Sequence, residues 1–111
     1  MSMDFAALIY NITKDFPKDE LFGLVSQMRR AVVSVPSNIA EGYARGSEKD
    51  KLHFLRISSG SMSELDTQIS LSNKLGYISK EQYDKLMESH EALWKSLNAL
   101  ITSVKAKQQM E

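Results

Sequence analysis

Two histidines, a run of serines and a corner rich in Lys and Arg are the residues of this 111-residue chain that could do chemistry. His53 and His90 are the natural candidates for metal ligand or general base. A di-metal helical bundle needs Glu-x-x-His pairs on facing helices. Neither histidine belongs to one, and no His-x-x-x-His occurs. Glu88 and Glu91 flank His90 in sequence but at offsets that do not face it on a helix. His90 falls in an apolar series, so it reads as a core or interface histidine. No metal and no cofactor is expected. Cysteine is absent, which removes thiol nucleophiles, disulfides and Cys-based zinc sites. The serines have no His and carboxylate at a readable spacing. Gly42-Tyr43-Ala44-Arg45-Gly46-Ser47 lacks the Lys-Ser/Thr ending of a phosphate loop. It reads as a helix C-cap followed by an N-cap. The residues therefore point away from an enzyme.

Three polar features remain. Gln27, Arg30, Ser34, Asn38 and Glu41, continued by Arg45, step by three or four and form a stripe beside an apolar one. Two readings fit it: a half-buried network that fixes helix register, or a surface facing a ligand or RNA. Ser58-Ser59-Gly60-Ser61-Met62-Ser63 costs helix propensity, and small side chains there suit close approach by helix 2 or a partner chain. Charge is the third feature. The 14 Lys+Arg and 14 Asp+Glu balance, which argues against a broad nucleic-acid-coating surface. Residues 28–57 nevertheless carry six basic against three acidic residues, a local excess of +3 hidden by −2 before and −1 after. Arg29, Arg45, Lys49, Lys51 and Arg56 are the candidate nucleic-acid contacts, most of them around the turn between helices 2 and 3.

Helical periodicity supplies the elements that position these residues. Helix 1 is expected over about 4–15, with Phe5, Leu8, Ile9, Ile12 and Phe16 on one stripe, stopped before Pro17. Helix 2 is expected over about 20–44, with Leu24, Met28, Ala31, Val35 and Ile39 on its apolar face. That phase continues across Pro36, which predicts one helix kinked near the proline over a break into two. Gly46 suits the C′ position. Ser47 is an N-cap for helix 3, over about 48–75, with Leu55, Met62, Leu65 and Ile69 on its core side. Gly76 stops it. Ser79 and Gln82 form a capping box for helix 4, over about 80–105. There Tyr83, Leu86, His90, Leu93, Leu97, Leu100 and Val104 keep a 3,4 spacing. The fold class is all-α: one domain over 1–111, an antiparallel up-down-up-down four-helix bundle. Helix 1 is short and leaves parts of its neighbours uncovered, which points to self-association. The opening Met1-Ser2-Met3-Asp4 has no signal-peptide pattern, and no window reaches a spanning length. The expected compartment is the cytoplasm, with no membrane contact.

Phe16-Pro17-Lys18-Asp19-Glu20, Gly23-Leu24-Val25-Ser26-Gln27-Met28-Arg29-Arg30-Ala31 and Ser34-Val35-Pro36-Ser37-Asn38-Ile39-Ala40-Glu41-Gly42 follow one another in the chain. In that order they resemble the 23S rRNA intervening-sequence proteins. Phe54-Leu55, Gly60-Ser61, Glu64-Leu65 and Leu75-Gly76-Tyr77-Ile78 extend the match over nearly the whole chain. The resemblance implies a small bacterial four-helix bundle that forms a ring-shaped homopentamer, of unsettled role, with nucleic-acid binding the usual reading. It also implies an alternative, because a structurally similar pentamer is an accessory protein of diversity-generating retroelement reverse transcriptases: a protein–protein adaptor. The family's signature polar positions fall on Gln27, Arg30, Ser34, Asn38 and Glu41. The family usually carries a further turn or two of helix 1 with a Trp, where this sequence opens at Met1.

Overall fold

In a computed structural model of the chain, which describes residues 1–110, the secondary structure is helical throughout, with no strand among the described residues. Four α-helices span Ser2–Thr13 (α1), Leu24–Arg45 (α2), Glu48–Lys74 (α3) and Lys80–Met110 (α4). Each packs on its neighbours in sequence, and α4 closes back on α1. Among the described residues the backbones of diagonal helices do not approach within 8 Å, so the four form a bundle in cyclic order around one core. The rod measures 50 × 24 × 19 Å.

The expected stripes build that core. Phe5, Ile9, Ile12 and Phe16 are buried, as are Met28, Val35, Leu55, Met62, Leu65, Ile69, Leu86, Leu93 and Leu97. The caps form as their chemistry dictates. Ser47 Oγ accepts from Asp50 N at 3.0 Å. Gln82 N donates to Ser79 Oγ at 3.1 Å while Ser79 N donates to Gln82 Oε1 at 2.9 Å. Gly46 and Gly76 take φ of 87° and 79°, left-handed values that a Cβ disfavours.

The helix ends differ from expectation in three places. α1 ends at Thr13, where the side-chain hydroxyl donates back to Ile9 O at 2.7 Å. The segment Lys18–Glu20 is a separate 3₁₀ turn, and α2 begins only at Leu24, after Gly23 leaves helical geometry. Glu20 still serves that helix: its carboxylate accepts from Leu24 N at 3.4 Å. α4 stays helical to Met110, five residues past its expected end. α2 runs as one helix through Pro36. Polar side chains reinforce the carbonyls beside the proline. Asn38 Nδ2 donates to Ser34 O at 2.8 Å, and Ser58 Oγ donates to Val35 O at 2.9 Å.

A polar seam, a basic corner and an acidic groove

The seam between α2 and α3 is the most extensive in the bundle. Its hydrogen bonds pair Ser72 with Met28, Ser61 with Ser34 and Ser58 with Val35, so the two helices run antiparallel. Ser58 and Ser61 are buried, and both spend their hydroxyl on α2. Ser34 Oγ accepts from both Ser61 and Asn38, at 2.9 Å each. Gly42 closes the seam at the corner. A Cβ there would lie 3.1 Å from Phe54 Cβ and 3.3 Å from Lys51 Cα. Gly60 does the opposite: it faces outward with nothing near its missing Cβ. The close-packing role expected of the serine run therefore belongs to Ser58 and Ser61, not to its glycine.

The polar stripe divides accordingly. Ser34 and Asn38 are half-buried members of the seam network. Gln27, Arg30 and Glu41 are exposed. Gln27 and Arg30 line a small cleft of about 280 Å³ that Glu64 also borders. Glu41 turns to Arg45, whose Nε donates to its carboxylate at 2.8 Å.

The five candidate basic contacts separate in the same way. Arg29 leaves the group: its Nε donates to Thr13 Oγ1 at 3.0 Å and its guanidinium lies 4.6 Å over the Tyr10 ring. It therefore clamps α1 to α2. It also sits sixteen residues before Arg45 on the same helix, about 24 Å along the axis. Arg45 pairs with Glu41 and lies over Phe54. Lys51 pairs with Glu48 at 3.2 Å and lies 5.1 Å over Tyr43. Lys49 and Arg56 are exposed and form no ion pair among the described residues. With His53 they occupy i, i+4 and i+7 on the outer face of α3.

A larger concavity lies elsewhere, between α3 and α4, and sequence reasoning missed it. It is a groove of about 820 Å³ with Met87 and Trp94 on its floor. Asp66, Asp84, Glu88 and Glu91 border it; Asp84 is paired with Lys80 at 2.9 Å and Glu91 with Lys95 at 3.2 Å. His90 supports one wall. It is buried, its Nε2 donates to Met62 O at 2.7 Å, and its ring stacks 6.2 Å from Trp94 and meets Phe5 edge-on. That matches its reading as a core histidine. The acidic residues were visible in the sequence, but Asp66 comes from a different helix than the other three. Only the α3–α4 register gathers them. Among the described residues no cluster of three or more His, Cys, Asp or Glu is placed to hold a metal ion. No helix is long and apolar enough to cross a membrane.

One titratable group is clearly shifted. Tyr77 OH donates to Glu20 Oε2 at 3.0 Å, and this bond to a carboxylate raises its pKa above the usual tyrosine value. The bond also ties the α3–α4 turn to the 3₁₀ turn before α2.

A small four-helix bundle with a knitted polar seam and charged outer faces is thus the class of protein that the fold defines. The family model for the 23S rRNA-intervening sequence protein matches residues 1–99, and the chain belongs to that family. A similar solved structure is a protein of unknown function from the S23 ribosomal protein family of Bacteroides thetaiotaomicron. It is 26% identical, with a TM-score of 0.83 over 91% of each chain. No curated protein shows significant similarity to the chain.

Proposed function

We propose that the protein is a non-enzymatic, cytoplasmic, homo-oligomeric bundle that binds RNA or DNA through the outer face of α3 at the α2–α3 corner. The observation that carries this reading is the Lys49–His53–Arg56 row, exposed and free of carboxylate partners beside Arg45. Lys49 and Arg56, unpaired cations on one helix face, suit phosphates, and an oligomer repeats the row on every subunit. Five subunits is the number the family resemblance implies. The non-enzymatic part is supported by how the reactive side chains are spent. His90 is committed to the Met62 carbonyl, and the buried seam serines are committed to α2 or to their own helix.

The test is fluorescence anisotropy with a labelled RNA across a salt series. Binding should weaken as salt rises. Replacing Lys49 and Arg56 together by alanine should flatten the log–log slope by about 1.4–1.8, given roughly 0.7–0.9 per phosphate contact. Salt-independent binding overturns the reading. The competing reading is a protein–protein adaptor, favoured by the apolar surface around Phe22, which is 92% exposed. A nuclease-treated native pulldown at low salt separates the two. A partner protein that persists after nuclease, with no nucleic acid in the untreated sample, supports the adaptor.

A further inference from the structure

The groove between α3 and α4 has a lining that nucleic-acid binding leaves unused. Half-buried Met87 and Trp94 form an apolar floor. Asp66 from α3 and Glu88 from α4 border it, exposed and without an ion pair among the described residues. Asp84 and Glu91 border it too, but Lys80 and Lys95 engage them. The free charge of the groove is therefore that of Asp66 and Glu88.

His90 adds an independent observation from inside the wall. The residue is only 7% exposed. Its Nε2 carries a proton, because the Met62 carbonyl it meets at 2.7 Å can only accept. In the neutral ring Nδ1 is then an acceptor, and it has no hydrogen-bond partner among the described residues. Nor is it enclosed like the buried unpartnered atoms Glu48 Oε2 and Gln68 Oε1, and the open space that His90 lines is the groove. A buried side chain thus offers a lone pair to the groove beside two free carboxylates and an indole. All of these attract a cation that carries N–H donors.

The spread of the groups selects the kind of cation. Asp66, Asp84, Glu88, His90 and Glu91 all line the groove, yet among the described residues no three are placed to hold a metal ion. Asp84, Glu88 and Glu91 instead step along one face of α4 over about 10 Å. Acceptors strung out beside an apolar floor suit a cation whose charges are themselves separated by methylenes. We propose that the α3–α4 groove, about 820 Å³ in volume, binds a linear polyamine, with methylenes over Met87 and Trp94 and ammonium groups shared among Asp66, Glu88 and His90 Nδ1. The site uses no residue of the Lys49–His53–Arg56 row and does not rest on the nucleic-acid reading.

Trp94 is the only tryptophan of the chain, so its fluorescence reads the site directly. Spermidine titrated at low salt into the full chain, freed of nucleic acid, should change the Trp94 emission saturably, and calorimetry should give one spermidine per chain. Magnesium chloride over the same range should produce neither signal. Asp66→Asn and Glu88→Gln should each weaken binding by about two- to fivefold, the scale of one exposed charge pair, and together by more. Asp15→Asn, which removes an exposed carboxylate outside the groove, should bind as wild type, and so should Lys49→Ala with Arg56→Ala. These side chains are all exposed, so far-UV circular dichroism should report unchanged helix. Absence of both heat and emission change up to millimolar spermidine overturns the proposal. So does a response that magnesium reproduces, that survives Asp66→Asn with Glu88→Gln, or that Asp15→Asn weakens equally, because each marks a diffuse counterion effect.

Discussion

α3 makes one seam with α2 and another with α4, and the two are built in opposite ways. Against α2 it uses small residues. Ser58 and Ser61 reach across, Gly42 admits the α3 backbone, and the antiparallel helices approach closely. Against α4 it uses large side chains. His90 bridges to Met62 O, Trp94 stacks behind it, and the outer part of the seam stays open as the acidic groove. Short side chains with their hydrogen bonds satisfied leave only a small cleft beside Ser34 and Ser61. Long side chains spaced by an open margin leave more room, bordered by Asp66 and Glu88 and by the lysine-paired Asp84 and Glu91. The α2–α3 seam is the more extensive of the two, and the α3–α4 seam keeps the larger opening.

The largest test of that contrast removes the one polar bridge of the open seam. His90→Ala deletes a buried ring and leaves the Met62 carbonyl without its donor, which should cost about 2–4 kcal/mol by urea titration. A cost under about 1 kcal/mol would mean that the α3–α4 seam does not depend on this histidine. Gly42→Leu attacks the closed seam. Its side chain meets Phe54 and the Lys51 backbone, so overpacking should destabilise by about 1–3 kcal/mol. A neutral result would show that the helices separate at the corner without penalty. Gly60→Ala probes the outward side of the serine run. With open space at the missing Cβ, the alanine should stabilise the bundle by roughly 0.5–1 kcal/mol in thermal melts. Destabilisation there would place Gly60 against another chain.

The smallest effect concerns the turn at the groove end of the rod. Tyr77 has a raised pKa because its phenol donates to Glu20. Its contribution to stability is thus present below the ordinary tyrosine value near 10 and is lost as pH rises through the higher folded value. In a spectrophotometric titration Tyr77 should ionise in a late step above the ordinary tyrosine value, and Tyr77→Phe should remove that last step. A titration in which the last step survives the substitution would detach the turn from Glu20.

Much of this architecture was legible residue by residue. The stripes through Phe5, Met28, Leu65 and Leu93 fall in the core because helical spacing puts them on one side. Ser47, Ser79 with Gln82, Gly46 and Gly76 mark their helix ends because capping needs only residues within one turn. The start of α2 was less legible. Acidic residues at 19–20 look like a first turn, and only the Gly23 backbone moves the start to Leu24. The candidate site was legible in part. Lys49 and Arg56, chosen from the local charge excess, are exposed on α3, whereas Arg29 is claimed by Thr13 and Tyr10 of a different helix.

The sequence by itself determined the helices, their caps and their buried sides, since these depend on neighbours within a few residues. Only the tertiary structure decided which charges are spent and which are free, and that Asp66 joins Asp84, Glu88 and Glu91 around one groove. The reason is physical. A side chain's pairing across helices depends on how far one helix slides along another. That register is set by the whole packed interface, here by Gly42 and the Ser34–Ser61 contact, and no local spacing encodes it.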